Sequence, residues 1–194
     1  MSVVPEFELG LWNAWIFVLS FLLLFTVWEI LNRVRGRKGS SRPDKPPFSE
    51  NEKKLYGISQ LLFLASVIYS FFLPLKLGTA WFYTGLLVYL SGMILTIVAG
   101  TSLDNTPINR PATEGIYRIS RNPIYLGTFL IFIGIGIACV SWLFLLLIAG
   151  FIILYDNLIA SEECWCLEKY GTAYKEYMNR TPKWIGIPKS KKTD

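Results

Sequence analysis

Apolar residues along the chain fall into long runs separated by short polar stretches. The first run, residues 11–31, carries Glu29 as its only charge. Runs at 55–75, 81–99, 123–140 and 143–160 repeat the pattern, with Asp156 as the single charge among them. A helix crosses a bilayer with about 20 apolar residues, and about 17 is the lower limit. The pattern predicts five transmembrane helices in one multi-pass domain covering residues 1–194. Only Ser141-Trp142 separates the last two runs, which predicts a tight hairpin of two short helices.

Past Glu163 the period changes. Leu167, Tyr170, Tyr174 and Tyr177 recur at helical spacing opposite Glu168, Lys169, Lys175 and Glu176. This predicts a C-terminal amphipathic helix at the membrane interface, with a break at Gly171 as an option. The expected fold class is all-α integral membrane. Gly92 and Ala99, seven apart, and Gly134 and Ala138, four apart, are spaced to let neighbouring helices approach closely.

Composition agrees with the pattern: 53% of residues are hydrophobic and only 17% charged, against about 25% charged in soluble domains. The first run has no basic lead-in or small-residue cleavage site, so it is expected to span rather than to be a signal peptide. The net charge of +5 could point to nucleic acid, but its distribution decides. Eight of the 19 Lys and Arg residues lie between 32 and 54, three between 100 and 123, seven after 163, and Lys76 alone elsewhere. Alternate loops are basic, as the positive-inside rule requires. The charge reports topology: N-terminus outside, C-terminus cytosolic, no nucleic-acid partner.

Three cysteines, Cys139, Cys164 and Cys166, are too few for a disulfide framework, and with no histidine they offer no metal site. A histidine base is excluded. Spans two to four carry few polar residues at mid-membrane, which argues against a channel or transporter.

The chemistry concentrates in Gly115-Ile-Tyr-Arg-Ile-Ser-Arg-Asn-Pro-Ile-Tyr-Leu-Gly127. A hairpin after it returns Ser161-Glu162-Glu163 to the same membrane face. Asp156 and Glu163, seven apart, share a helix face, and acids at that depth mark a site or a structural pair. Arg118 and Arg121 are their natural partners. An ion-pair clasp and an active site are both open on these residues alone. Tyr117 and Tyr125 could equally belong to an aromatic belt.

Together, Arg121-Asn-Pro-Ile-Tyr-Leu-Gly127, Glu162-Glu163-x-x-x-Leu167, Tyr170-Gly171-x-x-Tyr174-x-x-Tyr177 and the tail Arg180-Thr-Pro-Lys-Trp-Ile-Gly-Ile-Pro188 resemble the isoprenylcysteine carboxyl methyltransferase family, over residues 113–188. The resemblance implies a membrane enzyme that moves a methyl group from S-adenosylmethionine, leaving S-adenosylhomocysteine, to a lipophilic acceptor reached from the lipid bilayer. It implies no metal, and a cofactor held on the cytosolic side by residues 100–188. Arg121, Asn122, Tyr125, Leu126 and Gly127 fall on the first motif, Glu162 and Glu163 on the second, and Tyr117 joins them by proximity. Of these, Arg121 is expected to orient the acceptor and Glu163 to hold the cofactor's amino group or ribose.

The chain departs from the family at Asn122, where histidine is usual. Asparagine cannot take a proton. In-line methyl transfer needs alignment and dryness more than proton movement, and a carboxylate acceptor is already ionised at neutral pH. The departure mildly favours a carboxylate acceptor. The rivals are a phospholipid or small-amine N-methyltransferase with the same cofactor site, and an NADPH-dependent sterol-type reductase. Three basic residues in the loop are few for a nicotinamide phosphate.

Overall fold

The computed structural model describes residues 7–34, 48–107 and 109–186. Parts of the basic loop expected at 32–54 and of the tail lie outside them. The described residues hold six α-helices and no strand: α1 (Trp15–Val34), α2 (Glu50–Ser70), α3 (Ala80–Asp104), α4 (Pro123–Ala138), α5 (Trp142–Tyr170) and α6 (Thr172–Arg180), with a 3-10 turn at Gly115–Arg118 before α4.

The boundaries follow local chemistry. Ser49 and Glu52 form a reciprocal capping box at the start of α2. Thr79 and Ser141 cap α3 and α5 by accepting from backbone N–H groups, and Pro123 opens α4 where a proline costs least. Gly171, at φ +57, ends α5 and starts α6 in a conformation that favours glycine.

Two elements differ from the expected spans. α2 starts at Glu50, because the capping box and the acids of its first turn suit a helix N-terminus. It ends at Ser70, and residues 71–75 instead bond the chain before α1, with Ala14 N donating to Leu73 O (2.9 Å) and Leu75 N to Trp12 O (3.0 Å). The hairpin is not two short helices either. α4 has 16 residues, whereas α5 runs 29 residues through Glu162 and Glu163 to Tyr170. The first part of the expected amphipathic helix therefore belongs to α5, and only α6 follows the break. Among the described residues, three helices are long and apolar enough to cross a bilayer: Trp15–Asn32 within α1, α3 and α5. α4 is too short by this measure, and α2 begins with four charged residues among its first five.

Successive helices from α1 to α5 alternate in direction. At one end Asn13 Nδ2 donates to Phe71 O (2.7 Å) and Lys76 N to Ala138 O (3.2 Å). At the other, Asn32 Nδ2 donates to Asp104 Oδ2 (3.1 Å), and Ser161 donates to Glu52.

α4 is the central helix, with nine of its 16 residues buried. Its seam with α3 is made by small residues. A Cβ on Gly92 would stand 2.7 Å from Gly127 O, and one on Gly134 2.5 Å from Tyr89 N, so only glycine lets the backbones come this close. Phe21 and Phe63 close on Phe132 edge-on, at 5.2 and 5.3 Å between ring centres. Leu22, Leu61, Leu87, Leu146 and Ile153 point outward from α1, α2, α3 and α5. An apolar exterior over a packed interior is the form of an integral membrane protein.

Candidate active site

The polar end of the bundle is built around one buried carboxylate. Glu163, 8% exposed, projects from α5 toward the start of α4. Arg121 meets it side-on, Nε to Oε1 and Nη2 to Oε2, both 3.0 Å. The two-point fork fixes direction as well as charge. Asn122 is the N-cap residue of α4, yet its side chain makes no cap bond there. Its Nδ2 donates instead to Glu163 Oε1 at 2.7 Å, which also fixes which amide atom is the nitrogen. One helix turn on, Tyr125 donates its hydroxyl proton to Glu162 Oε2 at 2.7 Å.

A strap made of the end of α6 and residues 181–186 holds this arrangement from outside. Arg121 Nη1 donates to Met178 O (3.0 Å) and Thr181 O (3.3 Å), and Arg121 N to Pro182 O (3.0 Å). Ser120 Oγ donates to Lys183 O (3.3 Å), and Gly186 N to Ile119 O (3.3 Å). Trp184 lies against Phe129 of α4, with ring centres 5.6 Å apart. α6 itself is amphipathic, and its apolar face turns inward. The Tyr177 hydroxyl donates to Tyr117 O (2.7 Å), and Tyr174 packs edge-on against Tyr177. Burial pushes both phenols above their usual range.

The expected ion pairs sort differently. Arg121 takes Glu163, but Asp156 pairs with Lys183, Nζ to Oδ1 at 2.6 Å, and Arg118 stands exposed on the 3-10 turn. The pairing of Lys183 with Asp156 carried no sequence signal, since the two lie 27 residues apart and the tail has no periodicity. Gly127 faces α3, where Thr96 and the Gly92 carbonyl leave no room for a Cβ. It serves helix packing, and neither it nor Leu126 lines the cavity described next.

That cavity, about 400 Å³, opens between the helices at this end. Tyr117, Arg121, Asn122, Tyr125, Glu162 and Glu163 form its polar wall, joined by Arg110, Tyr155 and Cys166, which lie outside the sequence motifs or at positions the motifs leave open. Phe25 of α1, Leu103 of α3 and Phe129 and Phe151 of α4 and α5 form the apolar wall. α1 and α3 therefore reach the site although they carry no motif. The volume falls within the roughly 300–1,000 Å³ of small-molecule sites. Among the described residues, no cluster of His, Cys, Asp or Glu could hold a metal ion.

A helical membrane protein with a half-greasy, half-charged cavity at one end of the bundle is the class these features define. The sequence profile of the phospholipid methyltransferase family matches residues 73–173, just over half of the chain. The protein belongs to this family, the isoprenylcysteine carboxyl methyltransferase-like group of integral membrane methyltransferases. No curated protein matches the chain. Membership implies S-adenosylmethionine as methyl donor. The wall residues fit it: carboxylates suit its ammonium and hydroxyl groups, and aromatic rings suit an adenine and a sulfonium.

Proposed function

We propose that the protein methylates a lipophilic acceptor drawn from the bilayer, and that the methylated group is a carboxylate. The supporting observation is the cavity's division into an apolar wall from α1, α3, α4 and α5 and a polar wall around the Arg121–Glu163 fork. We further propose that α1 to α5 all cross the membrane, N-terminus outside, which puts the cavity at the cytosolic face. The alternating helix directions and the basic loops support this topology.

Bound S-adenosylmethionine would supply an electrophilic methyl group on a positively charged sulfur, which leaves as a neutral thioether. The protein then has to hold both partners in line and keep water out. Glu162, Glu163 and Tyr125 would bind the cofactor's polar groups, and Tyr117 and Asn122 would line its seat. Four of the five N–H donors of Arg121 are engaged, two by Glu163 and two by backbone carbonyls. In this arrangement Arg121 acts as a positioning residue that fixes Glu163.

An amine acceptor, the second reading, would need a proton removed before attack. Three N–H donors already occupy Glu163. Glu162 is the other carboxylate on the cavity wall and would have to serve. The deciding measurement is calorimetric binding of S-adenosylhomocysteine to the detergent-purified protein, with NADPH beside it. Saturable binding that Glu163→Gln abolishes supports the reading; binding of NADPH alone would move the protein to the reductases.

A further inference from the structure

The charged residues on the cavity wall, among those described, are Arg110, Arg121, Glu162 and Glu163. The two arginines differ in one decisive respect. Arg121 is committed to Glu163 and to the backbone of the strap. Arg110 sits in the connection between α3 and the 3-10 turn, where its backbone N–H donates to Pro107 O (3.3 Å) and closes a turn at the cavity rim. Its guanidinium makes no hydrogen bond or ion pair among the described residues, and it is solvent-exposed.

Charge balance says what it would meet. The four groups sum to zero. A sulfonium cofactor with an amino-acid end adds one net positive charge. A second ligand that is cationic would add another, whereas a ligand with one anionic oxygen group brings the filled cavity back to neutrality. In a partly desolvated site that difference is large.

We propose that Arg110 anchors the anionic head of the methyl acceptor, a carboxylate or phosphate, at the cavity rim, with the acceptor's apolar part lying against Phe25, Leu103 and Phe129. This rests on the methyltransferase reading above and gives it a recognition residue. The planar fork of arginine matches both oxygen groups, which a lysine would meet only as a point charge. The shared chemistry has two sources: a lipid-soluble carboxylate that is itself methylated, or the phosphate of a lipid whose amine is methylated.

The test uses the full chain in detergent, carrying Cys164→Ser so that Cys166, on the cavity wall, is the thiol that reports by its rate of maleimide labelling. Protection is titrated with oleate, with oleyl alcohol as its uncharged counterpart, with phosphatidylethanolamine micelles, and with S-adenosylhomocysteine. Arg110→Gln should weaken oleate or phosphatidylethanolamine protection by about tenfold or more, as loss of a charged hydrogen bond does. It should leave oleyl alcohol and S-adenosylhomocysteine unchanged, and Arg110→Lys should recover only part. Dependence with oleate identifies a carboxylate, and with the phospholipid alone a phosphate. Weakening of S-adenosylhomocysteine with both lipids unaffected would assign Arg110 to the cofactor and overturn the proposal. No change in any arm would make it a solvated surface residue and also overturn it. Failure of S-adenosylhomocysteine to protect the unsubstituted protein would sink the cofactor reading instead, with the lipid arms still testing Arg110.

Discussion

The α3 face of α4 and its N-terminal end are held by opposite means. Along its length α4 meets α3 across Gly85, Gly92, Gly127 and Gly134, and stability there comes from side chains that are missing. At its N-terminus it meets α5, α6 and the strap through Arg121, Asn122 and Tyr125, and order comes from side-chain donors engaged by carboxylates and backbone carbonyls. The first arrangement tolerates no added volume, and the second tolerates no lost hydrogen bond. A membrane interior lets backbones pack closely but cannot solvate an orphaned charge, so the fold places each device where its failure mode is controlled.

The contrast can be broken on either side, and the sizes should differ. Gly85→Leu should have the largest effect, with loss of monodisperse folded protein in size-exclusion chromatography. The added side chain would meet the Ala138 and Gly134 backbones, which cannot shift as a side chain would, so the cost should exceed the roughly 1–3 kcal/mol usual for overpacking. Next comes Glu163→Gln. It leaves the Arg121 charge buried without its partner, a loss of about 3–5 kcal/mol in comparable pairs. It should remove S-adenosylhomocysteine binding by calorimetry and lower the melting temperature.

A smaller effect is expected at the latch. The Asp156–Lys183 pair is partly exposed, at 45% and 24%, so its direct contribution is near the 0–1 kcal/mol of surface pairs. Lys183→Met should weaken cofactor-analogue affinity by a few-fold through a looser strap. The exchange of both charges, Asp156→Lys with Lys183→Asp, should restore most of it; no restoration would mean the pair is incidental. Smallest is the response to alkali. Tyr174 and Tyr177 stay neutral in the folded state where an undocked α6 would ionise, because burial raises their pKa. Docking should therefore hold below the ordinary phenol range near about 10 and weaken as pH rises past it. Tyrosinate absorbance and analogue affinity measured together would check the sign.

Most of the bundle could be read in the chain because lipid imposes a simple rule: apolar length makes a helix. That rule also explains the misreadings. It marks where water-averse residues end, not where a helix ends, so it stopped the last span at 160 although the helix continues to Tyr170. It slid α2 by a turn because it ignored the Ser49–Glu52 cap. The site was partly legible, since the Arg121, Asn122, Glu162 and Glu163 positions carry a spaced motif and the hairpin brings them together. Arg110 and Phe25 on the cavity wall and the partner of Lys183 were not, since these placements follow from how separate segments meet in space. The pairing of Asp156 with Lys183 rather than Arg118 is of that kind.

The strap also sets an order of events during synthesis. Arg121, Asn122, Glu162 and Glu163 all leave the ribosome before residues 181–186, whose carbonyls complete the bonding of Arg121. The helices that carry Arg121 and Glu163 are therefore made while the bonding of Arg121 is still incomplete, and residues 181–186 complete it as they emerge. A chain stopped after Arg180 should insert and stay folded yet bind no S-adenosylhomocysteine; unimpaired binding by that truncated chain would remove the strap from this role.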